Sequence, residues 1–339
     1  MADVVLHIGP HKTATSYIQA VFHHNRGLLE KHGVIYPAIG TAQAQHALAG
    51  NWLTLPDLPE AFFDGRSPGA LWDRLVARHA GGPETVFLSS ENFSRSHPEE
   101  VDMRELAECL SAFDTVRIVY TMRRQVELIP SVWAQISKMR FVPSIWSFMR
   151  ETLEQRRAKG VPVDHNSFYD RLRQGFAPEQ IHLLDYGSFK AHPGGVTGVF
   201  LDLLGVPLEA SALALPSRDE ANVSPDPLSL FVASLVADDA ARPPDPALVS
   251  YLDEVLDEVL GRPRTLLAAH EYRKIHERFR HGNQALVEKV RPVQPGFAFD
   301  DGAPPEGLVY RDALDDQAWQ KIAAAVYRMP RRARRGLLS

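Results

Sequence analysis

Cysteine is almost missing from this chain of 339 residues: Cys109 is the only one. No intramolecular disulfide can form, which fits a reducing compartment, and a cytoplasmic location is expected. Cysteine and histidine clusters at metal-ligand spacing are missing too, and no HExxH occurs, so no metal site is expected. Long apolar runs are absent. The opening "VVLHI" is too short to cross a membrane, and no basic stretch leads into an apolar one in the manner of a signal peptide. No membrane span is expected. Positive charge is not in excess: 37 Lys and Arg stand against 42 Asp and Glu, a formal net charge of -5. Nothing global draws the chain to nucleic acid, so any anion site has to be local. No internal repeat is visible.

What is there is an ordinary globular composition, 45% hydrophobic and 23% charged. The length suits one large domain or a domain with an added lobe. The 25 prolines gather in stretches such as "ARPPDP" and "DGAPPEG", which read as loops between helices. Four short runs rich in β-branched and apolar residues stand out: Val4 to Ile8, Thr85 to Ser89, Val116 to Thr121, and Ile181 to Tyr186. "VIYP" after Gly33 reads as a short extra strand. Helical patterns separate these runs. Tyr17, Ile18, Val21 and Phe22 share a helical spacing, and Gly33 is expected to close that helix. "AQHALAGNWL", "GALWDRLVARH", "MRELAECLSAF" and "QVELIPSVWAQISK" follow as further helices. Apolar strands alternating with helices predict an α/β fold with a mostly parallel central sheet flanked by helices. From Pro225 onward the pattern is mainly helical. The expected organisation is a single domain over 1–339, with an α/β core at 1–205 and a mainly helical extension or lobe at 206–339.

Two stretches carry chemistry. The first, "VLHIGPHKTATSYIQ", reads as strand, polar loop and helix. A helix N-terminus offers unpaired N–H groups and partial positive charge, so such a loop suits an anion. Thr13, Thr15 and Ser16 are expected to add hydroxyl donors, and Lys12 a full charge. The G-x-x-x-x-G-K-[ST] phosphate loop is not matched, because Lys12 comes early and Ala14 stands where a second glycine belongs. A plain Ser/Thr helix cap is the competing reading. The second stretch is "RIVYTMRRQVELIPSVWAQ". Arg123 stands at a strand's end, and Ser131 follows eight positions later on the next helix. An arginine there can fork two bonds to a phosphate, and a serine can add one more.

In that order the two stretches resemble the paired signatures of sulfotransferases that use 3′-phosphoadenosine 5′-phosphosulfate (PAPS). The likeness is closest to the bacterial branch, whose members often begin "HIGxxKTGTT", and it covers roughly residues 1 to 205. It implies that Lys12, Thr13, Ala14, Thr15, Ser16 and Tyr17 hold the 5′-phosphosulfate end. Tyr17 matches the aromatic residue that stacks on adenine, although it equally suits a core-facing helix position. Arg123 and Ser131 would hold the 3′-phosphate. Tyr186, in "LLDYGSFK", matches an aromatic of the adenine pocket. Two departures stand out: Ala14 replaces a glycine, and no "RKGxxGxWK" segment closes the cofactor site. Arg218 in "PSRDEANVSP" is the nearest substitute.

Sulfuryl transfer goes through a loose, in-line transition state, so positioning and charge neutralisation dominate. Lys12 would stabilise charge growing on the bridging oxygen. In the family the strand in this place ends in a catalytic His or Glu, and "ETVFLSSENF" supplies Glu91 there, the expected general base, with a raised pKa. A solvent-facing capping role for Glu91 is the alternative. His46 is the second candidate base, and His11 could touch the sulfate. PAPS is thus the expected donor, without a metal, and the acceptor a carbohydrate or small-metabolite hydroxyl. A P-loop-type kinase is the first rival, although it would need carboxylates for Mg²⁺ and "VVLHI" has none. A non-catalytic protein that binds a nucleotide or sulfated glycan is the second.

Overall fold

The computed structural model describes residues 1–56, 58–217, 224–239 and 241–329. Arg218 and the C-terminal "RRARR" lie outside them. The chain forms two compact units that alternate along the sequence: 1–123, 159–223 and 282–300 make the first, and 124–158, 224–281 and 301–339 the second.

The first unit is built on a five-stranded, wholly parallel sheet of β1 (Asp3–His7), β2 (Val34–Ile35), β3 (Thr85–Ser89), β4 (Val116–Met122) and β7 (Ile181–Asp185). Two further strands, β5 (Arg157–Ala158) and β6 (Val161–Pro162), lie outside this sheet. The spatial order is β2-β3-β1-β4-β7, with His7 of β1 opposite Ser89 of β3 and Met122 of β4 opposite Asp185 of β7. The strands fall within one or two residues of the apolar runs read from the sequence, because the central strands β1 and β3 and most of β4 are buried on both faces. Alternate side chains sort to opposite sides. Val4, Leu6, Leu88, Ile118 and Tyr120 pack in one core with α3 (Pro68–His79), α4 (Met103–Leu110) and α7 (His165–Leu172). Val5, Phe87 and Val119 pack in the other with α1 (Thr15–His24) and α8 (Gly195–Leu203).

Two expected helices differ. The helix after the first loop does not run to Gly33; it breaks at Asn25 into α1 and α2 (Arg26–Lys31). The Asn25 side-chain amide donates to the carbonyls of Val21 and Ala214 and its oxygen accepts from the Ala214 N–H, which holds Asn25 in the non-helical backbone (φ -104°, ψ 15°) at the break. "AQHALAGNWL" forms only a 3-10 turn at His46–Asn51. Gln45 just before it is tied to the sheet: its amide donates to the Pro37 carbonyl, and its oxygen accepts from the Ser89 N–H.

The second unit is helical, with α5 (Gln125–Met139), α6 (Ile145–Gln155), α9 (Pro227–Ala237), α10 (Pro246–Val259) and α12 (Asp316–Arg328). The long α11 (Ala269–Val290) contributes residues to both units. Arg264 is the unit's buried tie. Its guanidinium, 1% exposed, reaches Asp226 at 3.2 Å and Asp253 at 2.5 Å, and also pairs with Asp257. Asp226 caps the N-terminus of α9 at the Ser229 N–H, so one cation joins that cap to α10. Among the described residues no helix is long and apolar enough to cross a membrane.

Candidate active site

Parallel strands all end at the same edge of a sheet, and that edge collects the chemistry. β1 runs into the loop that carries His11 and Lys12; β3 ends beside Ser90 and Glu91; β4 delivers Arg123; β7 delivers Tyr186. Four segments far apart in sequence thereby meet.

The loop first stays paired with β4: the Ile8 N–H donates to the Val119 carbonyl at 3.0 Å, and the Thr121 N–H to the Gly9 carbonyl at 2.9 Å. Gly9 then turns with φ +81°, and a Cβ there would lie 2.8 Å from the Cβ of Glu91. Lys12 (φ 70°) and Ala14 (φ 64°) also take left-handed backbone. The hydroxyls of Thr13 and Thr15 do not behave as expected. Both are buried, and both donate to the Pro10 carbonyl, at 2.7 and 3.1 Å. They brace the loop rather than offer hydrogens to a ligand. The first-turn amides of α1 have no intrahelical acceptor, which leaves them as backbone donors of the kind that suit an anion. Ser16 is half-buried, and Tyr17 is half-buried against the α1–α8 core.

Arg123 is held at three points. Its Nη1 donates to the Lys12 carbonyl at 2.6 Å, and its guanidinium carbon lies 4.4 Å from the centre of the Tyr186 ring. Its own carbonyl accepts from His165 Nε2 at 2.8 Å. A carbonyl only accepts, so Nε2 carries the proton. His165 Nδ1 then accepts from the Tyr120 hydroxyl, also at 2.8 Å. Ser131 lies in the second unit, buried on α5. Arg124 also belongs to that unit, where it donates to the Tyr272 hydroxyl and the Gly302 carbonyl.

Glu91 opens a 3-10 turn (Glu91–Ser94) and is 9% exposed, which corrects the reading of a solvent-facing cap. Its Oε2 accepts from Gln19 Nε2 at 2.9 Å, and its Oε1 lies 3.5 Å from His11 Nδ1. The expected raised pKa is also corrected. Burial alone would raise it, but the imidazoles of His46 and His11 and the Gln19 bond outweigh burial and hold the carboxyl down at about 2. His11 moves the other way from a free imidazole: desolvation lowers its pKa, while Glu91 opposes that shift. His46 Nδ1 sits 2.9 Å from the Ser90 hydroxyl.

Gln19 and His165 escaped the sequence reading. Gln19 also approaches the Ser89 hydroxyl at 3.3 Å, and that hydroxyl bonds His7 Nδ1 at 3.0 Å, so a buried polar chain underlies Glu91. A glutamine on the apolar face of α1, between Ile18 and Val21, was the available signal. For His165 the sequence offers none. Among the described residues no group of three or more His, Cys, Asp or Glu side chains could hold a metal ion. A cavity of about 300 Å³, lined by Arg26, Ile35, Tyr36, Leu75 and Arg78 among others, contains none of the residues named above as site candidates.

No protein-family model matches the chain, and no curated protein does. Solved structures with similarity exist. A sulfotransferase from Alicyclobacillus acidocaldarius is 16% identical, with 74% of this chain and 96% of that chain covered and a TM-score of 0.41. Mouse sulfotransferase SULT7A1, complexed with PAP, is 11% identical over 87% and 89%, with a TM-score of 0.39. The sulfotransferase domain from the curacin biosynthetic pathway is 15% identical over 82% and 97%, at 0.38. All three are sulfotransferases. At such identities and scores, the chemistry has to be argued from this chain's own side chains.

Proposed function

We propose that this chain transfers a sulfuryl group from PAPS to a hydroxyl of a carbohydrate or small metabolite. The observation that carries the reading is the junction of its two signature stretches: Arg123 bonds the Lys12 carbonyl at 2.6 Å at the sheet's carboxyl edge. A donor with phosphates at both its 3′ and 5′ positions calls for cationic groups from two segments, and Lys12 and Arg123 supply them. The first-turn amides of α1 bind the 5′-phosphate. Lys12 neutralises the leaving oxygen as the S–O bond breaks. Arg123 binds the 3′-phosphate, and Tyr186 and Tyr17 serve the adenine. Glu91, buried beside the loop, provides negative charge on the acceptor's side.

The test is calorimetry with PAP, the desulfated product, in the presence of a chelator, followed by an acceptor screen that reads PAP released from PAPS. Metal-free PAP binding with acceptor-dependent release is expected. Binding confined to ATP with Mg²⁺ would overturn the reading in favour of a kinase, and PAP binding without release on any acceptor in favour of a binding protein.

A further inference from the structure

Glu91 is badly placed to be the group that takes the acceptor's proton. One of its oxygens accepts from Gln19 at 2.9 Å, and the other faces His11 Nδ1 at 3.5 Å. It is 9% exposed, and the space beside its Cβ is so narrow that a Cβ at Gly9 would lie 2.8 Å away.

His11 has the complementary geometry. It stands on the loop itself, next to Lys12, with its side chain 40% exposed. Nδ1 faces Glu91, and a carboxylate only accepts, so Nδ1 carries the proton of the neutral ring. Nε2 is then left with its lone pair and has no hydrogen-bond partner among the described residues. Gln19 fixes the carboxylate that fixes the ring. We propose that His11 Nε2 takes the acceptor's proton and that Glu91 is the positioning carboxylate behind it.

The inference rests on the sulfotransferase reading above. In the step, the acceptor oxygen forms its bond to sulfur and its proton passes to His11 Nε2. The bond from sulfur to the bridging phosphate oxygen breaks, and its electron pair leaves on PAP beside Lys12. The imidazolium, stabilised by Glu91, later returns its proton to water. Besides Glu91, the charged and titratable groups that act on His11 are His46, Arg95 and Lys12. All three disfavour the imidazolium, and Glu91 alone of these neighbours favours it. Desolvation, the largest influence, acts in the same direction as these three, so the ring holds a proton less tightly than an ordinary imidazole.

The test uses the full chain, PAPS as donor and methyl glucoside as the hydroxyl probe, with PAP release as readout. His11→Ala should lower kcat by about 10²- to 10⁴-fold, the scale of general-base loss, with PAP affinity nearly unchanged. Added imidazole should restore part of the rate in that variant and none in Glu91→Gln. Glu91→Gln should keep an acidic limb in its pH–rate profile, moved to lower pH, because the imidazolium loses its stabilising charge. An acidic limb abolished in Glu91→Gln but kept in His11→Ala would overturn the assignment and make Glu91 the base. NMR titration of the His11 ring needs no acceptor: its pKa should fall in Glu91→Gln, and an unchanged value would overturn the pairing. Calorimetry separates the two failures. A wild type that does not bind PAP overturns the sulfotransferase reading, whereas PAP binding with His11→Ala at wild-type turnover overturns only the role of His11.

Discussion

At Gly9 two constraints coincide. The backbone is left-handed, at φ +81°, and Glu91 occupies the space a side chain would need. Gly9→Ala should cost about 1–3 kcal/mol, from αL strain together with a contact that backbone atoms cannot relieve. It should also displace Glu91 and weaken PAP binding; urea unfolding and calorimetry read the two effects separately. Ala14 is the opposite case. It holds φ 64° where the resembling family has glycine, and no side-chain bond caps the helix there. Ala14→Gly relieves the αL strain at the cost of a more flexible unfolded chain, so a net gain of about 0.5–1 kcal/mol is expected. PAP binding should be retained. A fall in thermal stability would show that the loop needs the methyl group.

Elements act here through their ends. β4 and α7 are joined by the relay from the Tyr120 hydroxyl through His165 to the Arg123 carbonyl, each bond 2.8 Å long. The relay fixes the backbone of the arginine proposed to read the 3′-phosphate. Tyr120→Phe removes the donor to Nδ1 and leaves the rings packed, while His165→Ala removes both bonds. The affinity for PAP should drop by roughly tenfold in His165→Ala, and less in Tyr120→Phe, in keeping with about 1–2 kcal/mol for lost buried hydrogen bonds. Affinity for adenosine 5′-phosphate, which lacks the 3′ group, should change little. Equal losses for both nucleotides would mark the relay as purely structural.

For the whole molecule, buried histidines tie stability to pH. His7 is fully buried between β3 and α8, and desolvation outweighs the pull of Glu91 to lower its pKa to about 4. Its unfolded value is about 6.5, so the unfolded chain binds the proton first. This stability is complete above pH ~6.5 and is lost as pH falls through about 4, on the order of 3 kcal/mol in all. Glu91 acts in a lower window: its depressed pKa contributes stability that is lost as pH falls from about 4 toward 2. Chemical unfolding from pH 7 to 4 should show the decline, and His7→Leu should flatten it. An unchanged slope in that variant would assign the effect to other groups, His182 foremost, because burial and Arg117 lower its pKa to about 4 as well.

The strands were legible in the sequence because parallel strands buried on both faces have to be apolar throughout, so Val4 to Leu6, Val86 to Leu88 and Ile118 to Tyr120 announce themselves. The loop was legible because polar residues between a buried strand and an amphipathic helix have few other uses. Parallel order then carried Lys12, Glu91, Arg123 and Tyr186 to one edge. The sequence alone did not determine what each side chain does there. Thr13 and Thr15 turn inward because the Pro10 carbonyl lies within reach. Asn25 ends a helix because Ala214, 189 positions away, comes to meet it. Glu91 stays ionised because Gln19, His11 and His46 arrive from two other segments, and a pKa is the sum of such neighbours rather than a property of the residue. The division into two alternating units is likewise a fact of contacts between distant segments, which composition and periodicity do not record. Local pattern decides what can be buried; only the folded chain decides which polar groups are buried together, and their mutual fields set the chemistry.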